Sequence, residues 1–396
     1  MGYILNEEQM ETVNLAKDFA NKSVKPIVAE YDREGKMPID LYQQAAEMGL
    51  TALEIPEEFG GYGVDYYTIL AAYEELAKVD GGFATGVAAA GLGLKPVLIA
   101  GTPEQKTYFA SFLNGDREGL DSPETGYSGY AAFCLTEADA GSDAAAGKTT
   151  AVKKGDEYII NGSKCFITNA ALASVYTVFA LTDKSKGTKG ISAFIVERDR
   201  EGVSLGAEED KMGIRLSNTA TVNFDDVHVP ADHLLGQEGK GFIYAMQTLD
   251  MARPSIAALA CGTAQRALDE AVAYAKQRVT FGKPIIAHQA ILFKLADMDI
   301  QVEVARSSVI NYVNKYYDCK KKGNRNFSRE AAICKCYAGD MSVQVCLDAI
   351  QILGGYGYSR EYPVEKLLRD AKIYQIYEGT NEVQRMVIGG ALAKSK

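Results

Sequence analysis

Apolar residues recur at helical spacing through the first part of the chain, at strand spacing through its middle, and at helical spacing again to its end. Asn6 stands three residues before Gln9, as a helix-capping pair would, and Met10, Val13, Ala16, Ala20 and Val24 then mark one helical face. Pro26 ends or kinks that helix. Further helical patterns fall around residues 40–49, 66–79 and 103–113, separated by glycine-bearing turns such as Phe59-Gly60-Gly61-Tyr62-Gly63. The first third is expected to be all helical. From about residue 131 short β-branched and aromatic runs take over, at 133–136, 158–160, 175–179, 193–196 and 221–224, punctuated by Lys154-Gly155-Asp156 and Asn161-Gly162. This predicts a compact β domain. After residues 236–241 long helical patterns return, rich in alanine and charged residues over 257–277. The fold class is α+β, mainly α, with domain limits expected at 1–130, 131–235 and 236–396.

Composition narrows the function. Hydrophobic content of 47% and charged content of 24% are those of an ordinary globular protein. With 42 basic against 52 acidic side chains, the net charge of -10 argues against a nucleic-acid partner. No stretch reads as apolar for the length a membrane span needs, the acidic N-terminus does not resemble a signal peptide, and Lys394-Ser395-Lys396 is not a Ser-Lys-Leu address. A bacterial cytoplasmic enzyme, or a processed mature form in a mitochondrial matrix, fits these features. Seven cysteines without C-x-x-C spacing and three histidines without i, i+4 spacing indicate neither a disulfide framework nor a metal site.

Candidate chemistry lies in separated segments. Glu378-Gly379 falls where one helical pattern stops and the next begins, with Tyr377 before it and no cation immediately beside it in the sequence. A glutamate there can be held in an apolar cleft, where its basicity rises as a proton-abstracting base requires. An exposed turn is the plainer reading. Residues 133–143 and 161–169 read as strands running into small-residue or hydroxyl-bearing exits that suit a flat heterocycle or an anion, or simply as strand ends. Arg278-Val279-Thr280-Phe281-Gly282 ends a long helical pattern with a cation, a hydroxyl and a ring, either a phosphate-and-ring clamp or a charge suited to the helix dipole. Gln351-Ile352-Leu353-Gly354-Gly355-Tyr356 admits close backbone approach to a ligand, or a helix cap.

Taken with Leu249-Asp250-Met251-Ala252-Arg253-Pro254, Pro56-Glu57-Glu58-Phe59-Gly60-Gly61 and residues 362–372, these segments resemble the acyl-CoA dehydrogenase family in type, order and spacing over essentially the whole chain. The C-terminal third looks most like short- and medium-chain members. The resemblance implies an N-terminal helical domain, a central β domain and a C-terminal four-helix bundle, usually in a homotetramer holding FAD and an acyl-CoA thioester. It makes Glu378 the base that takes the α-proton while the β-hydrogen leaves as hydride to flavin N5. It places Phe133, Leu135, Thr136, Phe166 and Thr168 along the flavin, Arg278 and Phe281 on the FAD of a neighbouring subunit, and Gln289, Gln351, Gly354 and Gly355 along the adenosine and pyrophosphate. Thr380 and Glu382 follow the base on the FAD side. Ser142 would contact CoA, Asp250 and Arg253 its adenine end or the adjoining helix, and Gly379 would border the thioester. An electron-transferring flavoprotein is the implied partner.

Other readings are a physiological enoyl-CoA reductase using the same site, with a bifurcating partner flavoprotein, an acyl-CoA oxidase, and a catalytically silent binding scaffold. Departures from the family pattern concern specificity. The chain has no tryptophan, so Phe166 stands where many members put an indole. Ala138 replaces a common proline, Ala84 occupies the place where glutaryl-type members carry an arginine, and residues 117–130 look like an insertion without an assigned role. The small side chains of residues 81–91 would leave room for a bulky acyl tail if they line its pocket.

Overall fold

The computed structural model describes residues 3–394, so the expectations resting on Met1-Gly2 and Ser395-Lys396 lie outside the described residues. The first third forms α1 (Glu7–Phe19), α2 (Val28–Glu34), α3 (Ile39–Glu47), α4 (Tyr66–Ala77), α5 (Gly81–Ala100) and α6 (Pro103–Ala110). Asn6 and Gln9 form the expected capping box, each side chain accepting from the other's backbone N–H. Asp65, Asp80 and Thr102 cap α4, α5 and α6 through their side-chain oxygens.

Contrary to the sequence expectation, α5 is long and apolar enough to cross a membrane by length and composition. Most of it is buried in the protein instead, against α7 and β1, which explains why it is apolar on every side.

The middle of the chain forms β1 (Tyr127–Cys134), β2 (Thr150–Lys154), β3 (Glu157–Thr168), β4 (Ala173–Leu181), β5 (Ile191–Glu197), β6 (Val203–Glu208) and β7 (Thr219–Pro230). Their order is β1-β4-β2-β3-β7-β6, with β5 paired to β4. The first strand begins at Tyr127, so the end of segment 117–130 is sheet and not insertion. Earlier in that segment the Arg117 guanidinium lies 4.0 Å from the centre of the Phe112 ring. β2 and β6 do not stand out in the hydrophobic pattern: one ends in two lysines and the other is partly exposed. Their ladders with β3 and β7 fix them in place.

The last part comprises α7 (Gly241–Gln277), the short hairpin β8 (Val279–Thr280) and β9 (Lys283–Pro284), α8 (Gln289–Lys321), α9 (Ser328–Leu353), α10 (Val364–Ala371) and α11 (Asn381–Lys394). α7 packs on α8 and α9, while α10 and α11 pack on α9. Pro254 lies inside α7 and cannot donate to the Asp250 carbonyl four residues back. The Tyr312 hydroxyl of α8 donates to that carbonyl instead, at 3.3 Å.

Buried ion pairs tie these layers together. The Arg306 guanidinium donates to Glu74 at 2.7 Å, joining α8 to α4 with both side chains 2% exposed. The Lys366 ammonium of α10 lies between Asp80, the α5 cap, and Asp370, which also accepts from the Ile214 backbone N–H.

Candidate active site

The break at residue 378 is a turn of two left-handed residues, Glu378 at φ 58° and Gly379 at φ 87°. A non-glycine residue held there costs about 1–3 kcal/mol unless its surroundings fix it. Both carbonyls of the dipeptide are held. Gln384 donates to Glu378 O at 3.1 Å and to Gly379 O at 2.8 Å, and the Lys335 ammonium donates to Gly379 O at 2.7 Å. Lys335 also donates to Asn381 Oδ1 at 3.0 Å, and Asn381 Nδ2 donates to Cys336 O and to Asp340. The turn is therefore fastened to α9 on one side and to the first turn of α11 on the other.

The Glu378 carboxyl oxygen Oε2 is buried without a hydrogen-bond partner. Burial raises the basicity of this carboxylate, while Arg253, Lys335 and Lys95 pull it down. Burial wins. The sequence offers no cation beside Glu378, but the fold brings these three from α7, α9 and α5. Burial likewise lowers Lys335 to about 8, opposed chiefly by the Glu378 charge.

Glu378 and Tyr377 form part of the lining of a narrow cleft. Thr85, Ala88, Ala89 and Leu92 of α5 supply one wall, and Ala252, Ser255, Ile256 and Leu259 of α7 supply another. The Thr85 hydroxyl meets the Tyr377 hydroxyl at 3.2 Å, joining the start of the α5 wall to the residue before Glu378. Thr168, the last residue of β3, opens onto the same cleft. Ala84 does not line it: that methyl is fully buried in the helical core, and Thr85 takes the cleft-facing place.

The strand exits lie side by side, because Cys165 N donates to Thr136 O at 2.9 Å. Behind them the Lys164 ammonium donates to Glu137 at 2.7 Å and to Leu135 O at 3.1 Å. Burial would raise Glu137, yet Lys164 and two backbone N–H donors, from Lys148 and Thr149, hold it at about 2. Phe133 and Thr136 are half-buried and Leu135 is buried on this support. A bulge between Lys164 and Ile167 puts Phe166 at φ 54° and turns its ring outward, 64% exposed.

A separate hollow gathers Arg278 and Thr280 with Gly354 and Gly355. Arg278 caps the end of α7, its N–H donating to Tyr274 O at 2.9 Å, and leads into the hairpin, whose tip holds Phe281 96% exposed. Gly354 has φ 62°, and a side chain built at either glycine meets nothing within 4 Å, so main chain faces open space there. Gln351 is exposed at the end of α9, and Gln289 is exposed at the start of α8 without lining either space. Thr380 is half-buried and its hydroxyl accepts from Val383 N, while Glu382 and Ser142 are exposed. Arg253 is buried and donates to Asp250 at 2.6 Å; Asp250 also accepts from the Ser328 hydroxyl. One chain thus collects Glu378 and the β3 exit at one place, and Arg278 with the glycines at another.

Lys335 and Lys95 escape a motif reading. Lys95 carries a usable signal nonetheless: one cation in an otherwise apolar helix of twenty residues, directly before Pro96, needs a buried partner.

Family models for the acyl-CoA dehydrogenase N-terminal, middle and C-terminal domains match residues 6–116, 132–227 and 239–393. The chain belongs to the acyl-CoA dehydrogenase family, whose members depend on FAD. The short-chain specific acyl-CoA dehydrogenase of Megasphaera elsdenii is 46% identical over 100% of both chains. The solved butyryl-CoA dehydrogenase from the same organism superposes with a TM-score of 0.92 at 46% identity, covering 100% of each chain. A chain in the solved structure of the electron transferring flavoprotein of Acidaminococcus fermentans, a study of flavin-based electron bifurcation, has a TM-score of 0.92 at 44% identity, again over 100% of each chain. The 3-(aryl)acrylate reductase of Clostridium sporogenes is 42% identical, over 98% of this chain and 99% of that one.

The residues present fit the cofactor of this family. Exposed rings at Phe166 and Phe281, hydroxyls at the strand exits, and an arginine beside open glycine backbone are the donor set and stacking surfaces a flavin dinucleotide uses.

Proposed function

We propose that this chain catalyses FAD-dependent α,β-dehydrogenation of an acyl-CoA thioester, with Glu378 as the base and an electron-transferring flavoprotein as the electron acceptor. The observation that carries this reading is the unpartnered, buried Glu378 oxygen on a fastened turn that shares a cleft with Thr168. FAD, when bound, supplies the acceptor for the β-hydrogen. The apolar walls exclude water from the α-proton, and the Glu378 side chain removes it. The Glu378 backbone N–H has no partner among the described residues and is free to donate to the developing thioester oxygen. Thr136, Thr168, Phe133, Leu135 and Phe166 hold the flavin end. Arg278, Phe281, Gln289, Gln351, Gly354, Gly355, Thr380 and Glu382 hold the rest of the dinucleotide across subunits of a homotetramer. Ser142, Asp250, Arg253 and Gly379 are assigned to the CoA thioester.

Anaerobic mixing of the FAD-loaded protein with an acyl-CoA panel tests this, by loss of flavin absorbance. No bleaching with any straight or branched acyl-CoA would sink it. A second reading, enoyl-CoA reduction with a bifurcating flavoprotein, draws support from the aryl acrylate reductase and the flavoprotein structure among the similar proteins. A carboxyl of raised basicity also suits it, since Glu378 must then deliver the α-proton. Reoxidation of the reduced enzyme by crotonyl-CoA against reoxidation by the partner flavoprotein separates the two directions. The bacterial relatives support a bacterial cytoplasmic location.

Three expectations follow from the site. The bleaching rate rises with pH as Glu378 ionises, with a midpoint above the usual carboxylate range because burial raises it. Lys335→Met removes a charge that opposes this rise, so the acid limb is expected to move to higher pH; stopped-flow pH profiles of both proteins check the direction. Phe281→Ala is expected to release FAD on dilution while the cofactor stays with the parent protein, about tenfold weaker binding being the scale for one lost aromatic contact. Filtration followed by flavin quantitation reads it.

A further inference from the structure

Away from Glu378, Tyr377, Thr85 and Thr168, the acyl cleft is apolar except at one place. Ala88, Ala89 and Leu92 face Ile256 and Leu259, but Lys95 and Ser255 also line the space. Lys95 is 2% exposed and donates to Glu54 Oε1 at 2.7 Å and to Oε2 of the same carboxylate. Its ammonium lies 5.9 Å from the centre of the Tyr66 ring, whose hydroxyl is 3.4 Å from Ser255 Oγ and donates to the Met251 carbonyl. The position of the carboxylate depends on Gly91: a Cβ there would meet Glu54 Oε1 at 2.8 Å. A charged pair has thus been given room in a helix wall that is otherwise hydrocarbon.

An ammonium has three N–H donors, and Glu54 is the acceptor for the bonds Lys95 makes inside the protein. An alkyl tail pushed against the remaining donor leaves it unsatisfied in a dry site, whereas a tail oxygen satisfies it. A tail carboxylate meets an ammonium that Glu54 already neutralises, so it brings a net negative charge into the cleft.

We propose that Lys95, held by Glu54, determines specificity in this cleft by selecting acyl tails that place a neutral oxygen acceptor, such as a hydroxyl or ketone oxygen, at its ammonium. Ser255 offers a second polar contact to the same oxygen. The inference rests on the dehydrogenase reading of the cleft and refines its substrate class.

The test uses the FAD-loaded full chain, a series of straight acyl-CoAs, and their ω-hydroxy and ω-carboxy counterparts. At one chain length the ω-hydroxyacyl-CoA is expected to reduce the flavin with kcat/KM roughly tenfold or more above both the alkyl and the carboxy compound. In Lys95→Met combined with Glu54→Gln, which avoids an orphaned carboxylate, that ratio falls to about one. Retained FAD content shows that the double variant is folded. Equal turnover of alkyl and hydroxy tails at every length in the wild type overturns the proposal, whatever the variant does. An unchanged ratio in the folded double variant overturns it too. Failure of every acyl-CoA to bleach the flavin is a different result, and it overturns the dehydrogenase reading.

Discussion

Replacing Glu378 by Gln is expected to lower the rate of flavin reduction by about a hundred- to ten-thousandfold, the range for loss of a positioned general base. The amide has the same shape, and the turn that carries it is fastened through main-chain carbonyls by Lys335 and Gln384, which the substitution does not touch. FAD content and acyl-CoA binding should therefore survive. Stopped-flow bleaching and equilibrium titration separate the two effects. Bleaching within a few-fold of the parent rate would mean that another group takes the α-proton, and the assignment of Glu378 would fall.

The second large effect is one of stability. Lys366→Met leaves Asp80 and Asp370 buried together without their shared cation. Breaking a buried pair from one side costs about 3–5 kcal/mol, because the remaining charge has no partner. Burial already raises Asp370 to about 6 even with Lys366 lowering it. Urea unfolding of the FAD-loaded protein should show the loss as a lower midpoint. Adding Asp80→Asn and Asp370→Asn to Lys366→Met should recover much of it, since an asparagine still caps α5 and neutral groups need no cation. If the single change costs under about 1 kcal/mol, the cluster is not an anchor between α5 and α10.

Much of the architecture follows from patterns that are local. The capping box at Asn6 and Gln9, the start of α7 after Lys240 and the strand at 175–179 need only neighbouring residues to declare themselves. β2 and β6 declare little, because a strand that ends in lysines or lies partly exposed owes its conformation to the ladder beside it. The site divides in the same way. Glu378-Gly379 is readable as a break, and the left-handed φ of both residues is its physical content. Its cations are not readable there, since Lys335, Arg253 and Lys95 come from helices far away in the sequence. The small residues of α5 are visible as a class, but which of them face the cleft depends on helix rotation: Ala88 and Ala89 do, and Ala84 faces the core. An exposed apolar ring such as Phe281 looks like any other phenylalanine until its hairpin is seen.

The clasp on the Glu378 turn has a consequence for how the protein comes into being. Asn381 and Gln384 belong to α11, so Glu378 O gains its donor, and the Lys335 ammonium its second acceptor, only once that helix is in place. Domains form from the N-terminus as synthesis proceeds. The β domain and the long helices can thus assemble around a Glu378 turn that has not yet been fully fastened. A chain ended just after Glu378 would keep that carboxylate but lose Asn381 and Gln384, and with them the donor to Glu378 O.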